Sequence, residues 1–305
     1  MNYAAFSIFA ALLITEIMGA VVMLVAWPAR SKVLDYVVPI WELTGTFGAL
    51  WVVTGVFAYP ALLVPVASIF APLLVVFLVL WVARSASVVF AEFITKKGWL
   101  DETKLYRAYA LSTILLGLTV LVLLSSLVGG QGVNLTSGSF SLLSWTTAGS
   151  VAFVIGTLVL GVGLAPVFFD LPPLRKLVLP LGGLGIMLSV LSYWLMSSSL
   201  ITTWMAVPVL LTLAAGLLYL WPKTAKIVTN KAVFLVVLTL IIFSLQPLVY
   251  PKVIGQAISV DAVTTAGAMA SAFITITYIG GLLLAVMLVL YVRVAARGPN
   301  GPDLR

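Results

Sequence analysis

Three carboxylates stand inside or at the edge of long apolar runs, and they are where this sequence could do chemistry. Glu16 sits in LLITEIMGAV, Glu42 follows Trp41 in WELTGTFGALWVVTGVFAY, and Glu92 closes a run that also holds Arg84. A carboxylate at bilayer depth is costly unless it is solvated, paired or protonated. Glu16 reads either as a protonated acid hydrogen-bonded between helices, or as a member of a proton path or a charge beside a cofactor. Glu42 reads either as an acid at a helix N-terminus, favoured there by the macrodipole, or as a group that admits protons from the cytoplasm. Glu92 reads as a solvated interfacial charge, two helical turns beyond Arg84.

The elements that carry these acids follow from the apolar runs. Runs of about 20 residues predict nine membrane spans, at about 4–27, 41–59, 62–84, 106–128, 145–167, 177–196, 203–221, 232–250 and 268–292. Tyr59-Pro60 separates the second from the third, and the third is expected to continue as helix to about residue 94. The stretch between the first two spans, with Arg30, Lys32 and Asp35, reads as a cytoplasmic connection. Of the 16 Lys and Arg residues, all but Lys252 fall on one side of this alternation. By the positive-inside rule the N-terminus is outside and the C-terminus cytoplasmic. The expectation is an all-α polytopic membrane protein with nine transmembrane helices. A single domain over 1–296 would comprise one four-helix bundle in 1–129, a second in 144–250 and a last helix at 268–292. Residues 297–305 would be a disordered cytoplasmic tail.

Composition sets the limits. The 305 residues are 63% hydrophobic and 8% charged, with mean hydropathy +1.23, which is membrane composition. The net charge of +7 lies in the loops of one side and so gives no reason to expect nucleic acid. Histidine and cysteine are both absent. The commonest haem and metal ligands are therefore missing, and any redox metal must be held mainly by a partner. No phosphate-binding G-x-x-x-x-G-K-[ST] loop and no H-E-x-x-H occurs, so nothing points to an ATPase or a metalloprotease.

Several stretches together resemble one family. PIWELTGTFGALWVVTGVFAYP is similar to the second helix of subunit II of cytochrome bd-type quinol oxidases, with its Trp-Asp or Trp-Glu pair and Phe/Tyr-Pro reversal. Gln131-Gly132-Val133 followed by SFSLLSWTTAGSVAFVIGTLVLG resembles that family's Q-G-V loop and fifth helix. Tyr250-Pro251 with Ser259-Val260-Asp261-Ala262 resembles the outside loop before its last helix. Thr15-Glu16 looks like the start of its T-D-G-F-D pattern, whose second acid falls here on Gly19.

The resemblance implies the haem-free subunit of a membrane quinol:oxygen oxidoreductase, a divergent member in a heterodimer. The haem-bearing subunit I would hold the haems and the quinol site. This chain would hold no cofactor beyond a structural quinone or lipid. Trp41 and Glu42 would border a cytoplasmic proton path, with Glu16 as a second acid of that path and Arg84 and Glu92 in support. Two other readings stay open: a haem-free anchor in another respiratory cytochrome complex, and a stand-alone transporter.

Overall fold

The computed structural model describes residues 2–93, 101–196, 206–246, 250, 252–254, 257–259 and 268–297. Most of them are helical, as apolar sequence demands, because in lipid a backbone must satisfy its hydrogen bonds within its own segment. The helices are α1 (Asn2–Val25), α2 (Arg30–Ala58), α3 (Pro60–Ile69), α4 (Ala71–Phe93), α5 (Glu102–Gly129), α6 (Leu142–Trp145), α7 (Ala148–Phe168), α8 (Val178–Met196), α9 (Ala206–Leu220), α10 (Pro222–Val228), α11 (Lys231–Ser244) and α12 (Ala268–Arg297). Two short antiparallel ribbons occupy connections. β1 (Val133–Asn134) pairs with β2 (Ser139–Phe140), and β3 (Lys252–Val253) pairs with β4 (Ile258–Ser259). Among the described residues six helical segments, those of α1, α2, α4, α5, α7 and α8, are long and apolar enough to cross a membrane. Shorter apolar helices include α9 and α11. This is a membrane protein.

The core is organised on α1, which packs against α2, α5, α7 and α11. Leu12, Met18 and Met23 of α1 are almost fully buried, together with Ile40 and Phe47 of α2, Leu116 of α5 and Phe168 of α7. The pair α7–α8 is held differently. Gly149, Gly156 and Gly163 of α7 repeat at heptad spacing, and small residues let two helices in lipid approach backbone to backbone. At Gly185 of α8 a Cβ would lie 2.5 Å from the backbone nitrogen of Leu160, and at Gly163 it would lie 2.7 Å from that of Gly182.

Three expectations change. The stretch from Arg30 to Ile40, expected to be a loop, is the first part of α2. Its residues Val33, Tyr36, Val37 and Ile40 are fully buried at i, i+3, i+4 and i+7, so packing of this apolar face outweighs Arg30, Lys32 and Asp35 on the outer side. The third run is two helices, α3 and α4, parted at Phe70 just before Pro72, where a proline cannot extend a preceding helix without losing its amide bond. Arg84, counted among the loop cations, is instead fully buried within α4. The loop at residues 95–97 and the tail beyond Arg297 lie outside the described residues, and Arg297 itself ends α12.

Candidate functional site

The site begins with spacing on three helices. On α2, Tyr36 and Thr44 lie two turns apart on the buried face. On α5, Tyr106, Tyr109 and Thr113 repeat at i, i+3 and i+7, and all three are buried. On α1, Thr15 and Glu16 are neighbours, both with no exposure. Where α1 meets α2 and α5, these faces converge, and Arg84 enters from α4.

Glu16 is the centre. Its Oε2 makes an ion pair with Nη2 of Arg84 at 2.8 Å and accepts a hydrogen bond from the Tyr109 hydroxyl at 2.9 Å. Its Oε1 accepts a hydrogen bond from the Thr44 hydroxyl. Thr44 and Tyr109 are themselves fully buried. Beside the pair, the hydroxyls of Thr15 and Tyr36 lie 2.7 Å apart, and Thr15 also donates to the carbonyl of Leu12. A buried ion pair requires this surround of donors to offset the loss of water.

Arg84 has two further contacts. Its Nη2 donates to the backbone carbonyl of Trp41 at 3.3 Å, and its Cζ stands 4.6 Å from the centre of the Trp81 ring. The aromatic face stabilises the cation. Nε and Nη1 of Arg84 are buried without a hydrogen-bond partner among the described residues.

The five residues singled out from the sequence thus divide. Glu16, Arg84 and the Trp41 backbone come together. Glu42 does not join them. It is exposed, with Thr46 one turn further along the same outer face of α2. Because α2 starts at Arg30, Glu42 lies well past the first turn, and the macrodipole explanation for it fails. Glu92 is exposed near the end of α4 and accepts a hydrogen bond from Tyr106, which is nearly fully buried. Thr44, Tyr109 and Tyr36 went unnoticed in the sequence, although their helical spacing was there to read.

A second feature is apolar. A cavity of about 400 Å³ lies between α1, α2, α3, α5, α7, α8, α9 and α11, lined by residues that include Tyr3, Trp51, Leu124, Phe153, Tyr193 and Gln246. Its walls suit a hydrocarbon or isoprenoid chain.

The donors present do not fit a haem. The sequence has no His and no Cys. Met18 and Met23 are packed in the apolar core. Among the described residues no three His, Cys, Asp or Glu side chains converge on a metal position. Imidazole and thiolate, the usual axial ligands, are lacking throughout.

No protein-family model matches the chain, and no curated protein matches it. Among solved structures, a chain of the bd oxidase from Geobacillus thermodenitrificans aligns with a TM-score of 0.67 at 18% identity. The alignment covers 96% of this chain and 98% of that one. The two chains share a fold. The similarity extends over essentially the whole of both, so it is an architectural match rather than one of a few helices.

Proposed function

We propose that this chain is the haem-free subunit II of a membrane quinol:oxygen oxidoreductase of the cytochrome bd type. The observation that carries the reading is the near-complete structural overlap with a bd oxidase chain, joined to a sequence without His or Cys. A chain so built contributes structure and proton supply, while the haems and the quinol site belong to a haem-bearing subunit I beside it. The assembly would lie in the cell membrane as a heterodimer, with nine spans in this chain, its N-terminus outside and its C-terminus cytoplasmic. The two four-helix groups and the last helix would form a single transmembrane domain.

In this reading Glu42 relays protons from the cytoplasm. Its exposure on the outer face of α2 leaves it free to meet a partner subunit, and Trp41 fixes the turn that carries it by holding Arg84 through its carbonyl. Glu16 is the buried acid of the same region. Thr44 and Tyr109 form a hydrogen-bonded set around it, and hydroxyl–carboxylate chains of this kind can hand on protons. Arg84 supplies the compensating charge, and Glu92 with Tyr106 lies nearer the end of α4. The large cavity would take a structural quinone or a lipid chain.

The reading is tested by quinol-driven oxygen uptake in membranes. Cells making this chain with its partner should consume oxygen when given a quinol. Cells lacking only this chain should lose that uptake together with the assembled partner. Unchanged uptake without the chain would overturn the reading.

A further inference from the structure

Among the described residues the Arg84 guanidinium has two buried nitrogens without a hydrogen-bond partner. Its side chain is 1% exposed. Only Nη2 is used for hydrogen bonding, shared between Glu16 and the Trp41 carbonyl. Nε and Nη1 carry three more N–H groups, buried and without a partner among the described residues. The Trp81 ring balances charge, but a ring face supplies no lone pair along the N–H directions. The Thr44 and Tyr109 hydroxyls are turned to Glu16 as donors, and neither accepts from Nε or Nη1 of Arg84. Buried N–H groups left in this way are commonly met by internal water, which needs a polar site with several partners. Acceptors with spare lone pairs are at hand in the Glu16 carboxylate and the Trp41 carbonyl.

We propose that Arg84 binds ordered internal water on its Nε and Nη1 edge, making a hydrated site where α1, α2, α4 and α5 meet. The ligand is water itself, held by donors that no side chain among the described residues satisfies. The site has a consequence for the oxidase reading, on which this part rests. The Trp41 carbonyl bonded to Arg84 belongs to the residue just before Glu42. Water at Arg84 therefore extends the buried Glu16 cluster toward the turn that bears the exposed acid.

The water site is tested without any assay of activity. Hydroxyl radicals generated by brief X-ray irradiation form from bound water in place, so buried side chains beside ordered water are oxidised while dry ones are spared. The full chain, purified with whatever subunit accompanies it, is irradiated and its oxidised peptides are quantified by mass spectrometry. Tyr109, fully buried and bonded to Glu16, is the reporter. Phe47 and Phe168, equally buried in the apolar core, are the dry controls. Tyr109 should be oxidised several-fold faster than both. In Arg84→Lys, which keeps a cation for Glu16 but removes Nε and Nη1, the Tyr109 rate should fall to that of the controls. A wild-type Tyr109 no faster than Phe47 and Phe168 overturns the site. A fast rate that survives Arg84→Lys shows water that Arg84 does not hold, and overturns the assignment. An effect on oxygen uptake without any effect on oxidation would leave the oxidase reading standing and sink this one.

Discussion

Breaking the Glu16–Arg84 pair from one side should cost far more than removing it whole. At 2.8 Å and an effective dielectric constant of about 20, the attraction of two unit charges is about 6 kcal/mol. Desolvation of both groups cancels much of that, but loss of one partner strands the other. Glu16→Gln or Arg84→Met alone should therefore destabilise by about 3–5 kcal/mol. The double variant Glu16→Gln/Arg84→Met replaces the pair by an amide that Thr44 and Tyr109 can still engage, beside an apolar side chain of similar length. Its cost should be well below the sum of the singles, with a coupling of about 2–3 kcal/mol. For a chain of 305 residues, about 4 kcal/mol corresponds to a midpoint shift of about 6 °C. The assay is thermal unfolding in one fixed detergent, followed by loss of the monodisperse chromatographic peak, for the wild type, the two singles and the double. Single variants that shift the midpoint by less than about 1 °C would refute the argument, and so would singles and double that simply add.

Three other outcomes follow from the same geometry. Glu42→Gln should lower quinol-driven turnover and leave assembly intact, because the side chain is exposed and its loss disturbs no packing; unchanged turnover removes Glu42 from the proton path. Gly185→Val should destabilise by about 1–3 kcal/mol, since even a Cβ there meets the Leu160 backbone and the helices must part; thermal unfolding reads it, and a neutral result would mean that α7 and α8 are not so closely apposed. Tyr109→Phe should cost about 1.5–3 kcal/mol, the worth of a hydrogen bond to a charged group, whereas Thr119→Val, at a half-buried position further along α5 whose hydroxyl bonds the Leu115 carbonyl of its own helix, should be nearly neutral in the same assay.

What could be read from the sequence depended on the kind of signal. Glu16 stood out because an acid in LLITEIMGAV has no cheap explanation; the structure gives it hydrogen bonds from Thr44 and Tyr109 on other helices, and in place of a proton an ion pair with Arg84 that the sequence did not point to. Arg84 as its partner was missed because the arginine lies where an apolar run gives way to Ser85 and Ser87, which resembles a span end. The start of α2 was missed for a related reason. Averaged hydropathy registers Arg30, Lys32 and Asp35 but not that they share the outer side of a helix whose other side is buried. The periodicity of Val33, Tyr36, Val37 and Ile40 held that information. The hydroxyls of Thr44 and Tyr109 gave no signal alone, since isolated Thr and Tyr are common in spans. Only the position of Glu16 across from them gives them a task.

The most direct test of the central claim is a visible spectrum of what this chain brings with it. The tagged chain would be purified in mild detergent and the sample reduced with dithionite. A coloured complex is expected, in which a second polypeptide carries b-type and d-type haem bands, with one copy of this chain per haem-bearing partner. A colourless chain recovered alone, folded and stable, would contradict it.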